Sequence, residues 1–357
     1  MKRVLYITAF PPNERTGGQT FSLNAIRDLT RLYELDVWYF AYPGHTTPLC
    51  AGGNLKSVVE WPVERLGWLR RFWVHPAFSR RLNRTLIRRL RTVAGGYDCL
   101  FFDFSQVALL ALEVEHPCKV LRLHDVLYQK YGRRNGGLAR WVLGTERRAV
   151  RAVSRVFVPS PKDAELLRRV YGVEADYTHE YLKPVNLPPD VPQERRMLFY
   201  GYWRRPENRD GLLWFLREVY PLLPRGTVRL AVMGAGLSAD FVRTRLAPLG
   251  VRYLGFTENP IEEILKSEAV LVPLFQGAGV KVKVIDAFSA GMPVIGTELA
   301  FEGLPDMPRL VRRADTARRF AESVIASEPL SYADKLALRQ SFLALYDQRH
   351  LAERLNV

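Results

Sequence analysis

Short apolar runs separated by longer amphipathic stretches recur along the whole chain. In the first half they fall at Arg3 to Ala9, Leu35 to Phe40, Cys99 to Phe102, Val120 to Leu123 and Val156 to Val158. In the second half they fall at Met197 to Tyr200, Val228 to Met233, Val251 to Leu254, Ala269 to Leu274 and Pro293 to Ile295. Runs of this length with no polar alternation are the pattern of strands buried on both faces. Helical spacing lies between and after them, at Phe21 to Leu32, Ala139 to Ser154, Arg209 to Val219, Asp315 to Ser327 and Ser331 to Leu355. Ser160 before Pro161 opens a further short helix, and Asp315 stands where a cap would. Strand and helix therefore alternate throughout. The expected class is α/β, with parallel sheets covered on both faces.

The alternation breaks once. Lys183 to Gln193 holds Pro184, Pro188, Pro189 and Pro192, which resist helix and sheet alike, and the strand pattern restarts after it. The division predicted is a first domain at 1–184, a second at 185–330, and a C-terminal helix at 331–357 that packs back on the first domain. No internal repeat or low-complexity tract accompanies it. Two doubly wound, Rossmann-like domains facing a cleft fit this organisation.

With 357 residues, 48% of them hydrophobic, the chain can bury a large core, and its length suits two domains. No apolar run reaches the length of a membrane span. The opening Met1 to Pro12 has basic residues before a short apolar stretch that meets two prolines, so it is expected as the first strand rather than a signal segment. Cys50, Cys99 and Cys118 are not spaced as metal ligands, which points to a reducing, cytoplasmic setting without disulfides or structural zinc.

The formal net charge of +15 is uneven. The first 184 residues hold 29 Lys and Arg against 17 acids, and the densest stretch, Arg65 to Arg91, has nine arginines and no acid. Among its residues are Trp68, Phe72, Trp73 and Phe78, with Arg70, Arg71, Arg80 and Arg81 beside them. Arginines among aromatics suit a surface that lies on anionic lipid, at the inner face of a membrane. The same composition suits a nucleic-acid backbone, or a solvated face whose aromatics pack inward.

Candidate chemistry concentrates between Phe275 and Thr297. The strand at Ala269 to Leu274 ends in a glycine pair, Gly277 and Gly279, and helical spacing follows up to Gly291. A glycine turn opening a helix leaves backbone N–H groups at its positive end, where a phosphate is a natural occupant. Lys281 and Lys283, in what reads as the first turn, either serve such an anion or point to solvent. Alone, the segment is equally an ordinary tight turn.

The run Gly277 to Thr297 resembles the signature of the GT-B glycosyltransferases of the retaining group 1, or family 4. The resemblance implies that Gly277, Ala278, Gly279 and Val280 bind the diphosphate of a nucleotide sugar and that Asp286 binds the ribose. The family's first Glu is Ala278 here, and Gln276 or backbone groups stand in its place. Ala9 to Pro12 with Gly17 and Gly18 resembles the family's first strand and glycine loop. His124, after the strand at Val120 to Leu123, matches the histidine that contacts the transferring sugar, with a structural hydrogen bond as the other reading. Asp125 orients His124, touches the acceptor or, most simply, caps the next helix.

In the second domain, Gly201 with Arg204, Arg205 and Arg209 corresponds to the segment that offers an Arg and a Lys to the leaving diphosphate. Asp210 stands in place of that Lys, and Lys283 is an equal candidate for the charge. Gly234 and Gly236 match the family's strand-end glycines, and Phe256 lies in the segment near the base, where it stacks or simply packs.

The chemistry implied is electrostatic. His124, Arg209 and Lys283 serve the reacting centre, and cations with a helix start stabilise the departing diphosphate without a metal. No Asp-X-Asp lies between apolar runs, so the metal-dependent GT-A plan has no support. The resulting expectation is transfer of a sugar, with retention, from a nucleotide sugar to a glycan or lipid-linked acceptor in surface polysaccharide assembly. Nucleic acid is not an expected partner. The rivals are a nonhydrolysing sugar-nucleotide epimerase and a non-catalytic membrane- or nucleic-acid-binding protein on the same scaffold.

Overall fold

The computed structural model describes residues 1–64, 74–133, 136–179, 185–189, 191, 194–224, 226, 228–346 and 351–357. It divides into two compact units, Met1–Tyr181 with Gln348–Val357, and Leu182–Asp347.

The first unit is built on strands β1 (Arg3–Thr8), β2 (Glu34–Phe40), β3 (Leu55–Trp61), β4 (Cys99–Asp103), β5 (Lys119–Arg122), β6 (Arg155–Val158) and β7 (Asp176–Tyr177). All pair parallel, in the order β3-β2-β1-β4-β5-β6-β7. Its helices include α1 (Gly17–Leu29), α2 (Pro76–Ser79), α3 (Arg84–Val93), α4 (Leu127–Gly132), α5 (Gly136–Val150) and α6 (Pro161–Tyr171). Apolar side chains of opposite parity along β1 enter two cores. Leu5 and Ile7 join the one under α3 and α5, while Val4 and Tyr6 join the one under α1. Helix α6 starts as its sequence predicts, with Ser160 Oγ accepting the Asp163 N–H at 3.2 Å and Pro161 in the first turn.

The second unit repeats the plan with β8 (Arg196–Tyr200), β9 (Arg229–Met233), β10 (Arg252–Gly255), β11 (Ala269–Val272), β12 (Val294–Gly296) and β13 (Val311–Arg313). These also pair parallel, in the order β10-β9-β8-β11-β12-β13. Helices α7 (Pro206–Trp214), α8 (Pro260–Leu265), α9 (Val282–Ser289), α10 (Ala317–Ile325) and α11 (Tyr332–Leu345) cover it, and α12 (Leu351–Leu355) ends the chain in the first unit. In each sheet the strand order reverses once, between β1 and β4 and between β8 and β11. Ligands of doubly wound sheets bind outside the carboxyl ends of the strands at that reversal.

Several elements differ from their prediction. Strand β3 was not expected: its burial is incomplete and its sequence mixes Lys56, Ser57 and Glu60 with apolar residues, as an edge strand allows. Two-residue β7 and six-residue α4 are too short to leave a pattern. Helix α10 is capped by Thr316, whose side chain accepts the Arg319 N–H, while Asp315 accepts the Glu298 N–H at 2.9 Å. The segment expected as one helix from Ser331 to Leu355 is two. In α11, Phe342 packs against Phe288 of the second unit, and the backbone leaves the helix at Tyr346. In α12, Leu351, Ala352 and Leu355 enter the α1 core of the first unit, where the Ala352 N–H meets Asp28 at 2.9 Å. The stretch 183–193 is described only at 185–189 and 191, which form neither strand nor helix.

Candidate active-site residues in the two units

At the reversal in the first sheet, β4 ends in Asp103, which is fully buried. A bare carboxylate there would be costly, and Thr8 Oγ1, 3.4 Å from Oδ2, is one of five neighbours that hold it. Arg122 Nε donates to Oδ1 at 2.7 Å, and Tyr6 Oη donates to Oδ2 at 2.7 Å. Ser22 Oγ also donates to Oδ2, and His124 Nε2 lies 2.8 Å from Oδ1. Burial alone would push this carboxyl up; Arg122 and His124 outweigh it and hold it well below the usual carboxylate range. As the carboxylate only accepts, His124 must carry its proton on Nε2, which leaves Nδ1 with no partner and no solvent among the described residues.

The ring of His124 stacks on Phe104 at 3.7 Å and 9°. Phe104 has φ 82°, a region costly for an aromatic residue and commonest where function holds it there. Helix α1 crosses this stack at Gly18. A Cβ there would lie 3.1 Å from the Phe104 ring, crowding it, and 3.7 Å from His124 Nδ1, an ordinary contact distance. Gly17 and Gly18 thus form the first turn of α1 at the carboxyl end of β1, and His124 Nδ1 is turned toward that turn.

Asp125 does not cap the next helix. It pairs with Lys130 at 2.7 Å, and the Leu127 and Tyr128 N–H groups at the start of α4 go to the buried Glu146 of α5, at 3.0 Å each. Glu146 also accepts from Tyr171 at 2.6 Å. A buried carboxylate from another helix does the capping because it reaches both N–H groups at once.

At the reversal in the second sheet, the loops after β8, β9 and β10 are tied together. Trp203 Nε1 donates to the Met233 carbonyl at 3.0 Å, the Trp203 N–H to the Ala235 carbonyl at 2.9 Å, and Tyr253 Oη to the Gly234 carbonyl at 2.8 Å. Gly234 has φ 114°, and a Cβ there would lie 1.9 Å from the Gly201 carbonyl oxygen, so only glycine lets these loops approach. After β11 the chain turns through Gly277 and Gly279, at φ 120° and 67°, before α9 begins at Val282. Ala278 and Val280 of this loop are half-buried.

Lys283 is a cation enclosed near this loop. The residue is half-buried, but its ammonium end lies inside, 2.7 Å from the uncharged Asn208 Oδ1. Asn208 in turn donates to the Tyr202 carbonyl at 2.9 Å. Burial first, and then Arg205 and Lys281, bring the ammonium down to about 7. Lys281 stands at the helix cap and lies 3.8 Å from Glu302. Asp286, on α9, meets the hydroxyl of Tyr200 at the end of β8, and burial together with this carboxylate pushes that phenol well above its ordinary range. Asp210, where the resemblance expected a Lys, accepts from Gln276 at 3.0 Å, one of the groups offered in place of the family's first Glu.

The structure thus gathers Gly201, Gly234, Gly236, Lys283 and Asp286 with Asn208 and Tyr200, two residues that the sequence reading did not single out. Arg204, Arg205 and Arg209 are not enclosed with them, and Phe256 is 64% exposed. In the first unit it adds Asp103, Arg122 and Phe104 to His124. The signal for that network was a charged residue inside each of two buried strands. Arg70, Arg71 and Trp73 lie outside the described residues. Arg80 is exposed, but Arg81, expected on an outer surface, is buried, and Phe78 and Leu82 beside it belong to the core.

Two parallel sheets of the same strand order, each with its polar cluster at the reversal, define the class: a GT-B fold. Comparison with known proteins supplies the family. The Glycosyltransferase Family 4 model matches residues 15–179 and the Glycosyl transferases group 1 model residues 194–327. Between them they take in most of the chain, which belongs to these glycosyltransferases. The fold is shared with Anabaena Alr3699/HepE in complex with UDP, at a TM-score of 0.71 and 13% identity over 99% of this chain and 98% of that one. It is shared too with a mutant of S. aureus TarM in complex with Fondaparinux, alpha-GlcNAc-glycerol and UDP, at 0.70 and 10% identity over 99% and 98%. In sequence, an uncharacterized 44.6 kDa protein in the cps region of Klebsiella pneumoniae is 29% identical over 116 residues, 30% of each chain.

Proposed function

We propose that the chain transfers a sugar, with retention, from a nucleoside diphosphate sugar held by the second unit to a glycan or lipid-linked acceptor held by the first. The observation that carries this reading is Lys283: an enclosed ammonium whose hydrogen-bond partner is uncharged, beside a glycine loop at the sheet reversal. A diphosphate supplies the charge such a cation lacks. Asp286 is the ribose partner under the family resemblance, and the UDP bound to HepE and TarM favours uridine as the base. The sugar–phosphate bond breaks, the acceptor hydroxyl bonds to the anomeric carbon, and its proton leaves on the departing diphosphate. The cations stabilise that diphosphate as its charge grows, and the reading requires no metal. The Klebsiella relative of the cps region supports a place in surface polysaccharide assembly.

The first test is thermal stabilisation of the full chain by UDP, GDP, ADP, TDP and CMP, since a ligand of the native state raises Tm. A selective rise with UDP is the expected result. No rise with any of them counts against donor binding and favours a non-catalytic protein. Consumption of nucleotide sugar without acceptor, giving an epimer, would replace the transferase reading.

The membrane expectation now rests on α3, where Leu86, Ile87 and Leu90 face the core and Arg84, Arg88, Arg89 and Arg91 are exposed. No described helix is long and apolar enough to cross a membrane. The proposal is attachment of this face to anionic lipid at the inner face of the membrane. Co-sedimentation with phosphatidylserine vesicles should occur at low salt and vanish near 1 M salt, where the Debye length is about 3 Å. It should also vanish in an Arg84→Glu/Arg88→Glu/Arg89→Glu variant. Equal binding to neutral vesicles, or none, ends the proposal.

A further inference from the structure

Arg81 is a buried cation for which the described residues of the first unit offer no counter-charge. It is 8% exposed, at the carboxyl end of β1, where its Nε donates to the Ala9 carbonyl at 3.0 Å. Its guanidinium lies over the Phe10 ring at 4.7 Å, with the Phe40 ring farther off at 5.9 Å. Neither Nη atom has an acceptor among the described residues, and no described carboxylate lies within ion-pair distance. The stretch 65–73, which precedes it, contains no acid in its sequence. Contrast Arg122 in the same unit, equally buried and held by Asp103 at 2.7 Å. A buried charge is ordinarily paired, and the Nη atoms of Arg81 are not among the side-chain atoms shut off from solvent, so an external partner can reach them.

The position gives that partner a place. Phe10 meets Phe104 edge-on at 5.1 Å, and Phe104 stacks on His124 at 3.7 Å. Arg81 and His124 therefore flank the same pair of rings, at the end of the sheet where ligands bind. The guanidinium keeps a fork of N–H donors matched to the two oxygens of a phosphate or carboxylate.

We propose that Arg81 receives an oxyanion carried by the acceptor, a phosphate ester or a sugar carboxylate, and so selects acidic acceptors over neutral ones. The assignment rests on the glycosyl-transfer reading for the word acceptor, and on the first unit alone for the anion site.

The test is equilibrium binding to the full chain by calorimetry. Glycerol 1-phosphate is compared with glycerol, and glucuronate with glucose, in the wild type, Arg81→Met and Arg81→Lys. The wild type is expected to bind at least one anion and neither neutral partner, and which anion binds separates phosphate from carboxylate. Arg81→Met should weaken that binding roughly 10- to 100-fold, the loss of a charged hydrogen-bonded pair. Arg81→Lys, with the charge but without the fork, should fall between. Because the substitution removes an uncompensated charge, Arg81→Met without ligand should melt no lower than the wild type.

Absence of anion binding in the wild type, or binding unchanged in both variants, overturns the proposal. A Tm well below the wild type in Arg81→Met with anion affinity intact in Arg81→Lys assigns Arg81 to structure and overturns it as well. Nucleotide stabilisation measured on the same samples reads the other unit. Its loss in the wild type would end the transferase reading and leave the anion site standing, whereas its retention with no anion response would end this proposal alone.

Discussion

Lys283→Met is expected to lower kcat/KM for the donor by about 10²- to 10³-fold, the usual loss on removing one group that stabilises charge developing in a transition state. The free protein should not suffer for it. Folding encloses this ammonium and brings it to about 7, from the ordinary lysine value near 10.5. Between those two values the unfolded chain binds the proton and the folded one does not. Stability linked to this group therefore rises with pH across that window, and the full cost of burying the charge is present below it. Relative to Lys283→Met, which does not titrate there, the wild type should gain stability from about pH 7 toward about pH 10. Diphosphate reverses the balance. Its negative charge favours the ammonium, so binding should take up a proton within that window, and affinity should weaken as pH rises. Calorimetry at about pH 8 in two buffers of different ionisation enthalpy measures that proton directly. No proton uptake, or undiminished turnover in Lys283→Met, would remove Lys283 from the reaction.

The loop and helix that carry Lys283 were legible in the sequence for a physical reason. A glycine pair at positive φ, an apolar strand before it and a short helix after it are all local, so one stretch of chain states them together. Strands buried on both faces were equally legible, because burial removes nearly every polar residue from them. The half-buried β3 kept its polar residues and escaped notice. What the sequence reading could not assemble was contact across distance. Asp103 meets Tyr6 and Arg122 from separate strands, Asn208 meets Lys283 across the loops of the second unit, and Glu146 caps a helix that does not contain it. None of these pairs has a spacing that could announce it.

Arg81 was misplaced for a different reason. Composition treats an arginine among arginines as surface, but burial is decided by what the neighbouring residues do. Phe78 and Leu82 both enter the core here, and the short α2 between His75 and Arg80 carries Arg81 inward with them. The same stretch then gives α3 an exposed basic face, so one run of arginines serves two environments.

Asp103→Ala should produce the largest loss of stability, about 3–5 kcal/mol, the range found when one partner of a buried ion pair is removed. Arg122 is 3% exposed and would be left without its carboxylate, while Tyr6 and His124 would lose their acceptor. The carboxyl is held far below its ordinary range, so its contribution is complete at neutral pH and is lost as pH falls from the ordinary carboxylate range toward that depressed folded value. The destabilisation should therefore be the same at about pH 6 and about pH 8. His124→Ala separates structure from chemistry. Asp103 keeps Arg122, Tyr6 and Ser22 in that variant, so its stability should fall far less than in Asp103→Ala, while transfer should be lost if Nδ1 serves the sugar. Adding Arg122→Met to Asp103→Ala should recover part of the loss, because the buried charge that Asp103 had balanced leaves as well. Urea unfolding of the three variants measures this. An Asp103→Ala protein within about 1 kcal/mol of the wild type would mean that the carboxylate does not hold the network, and the fixed tautomer of His124 would fall with it.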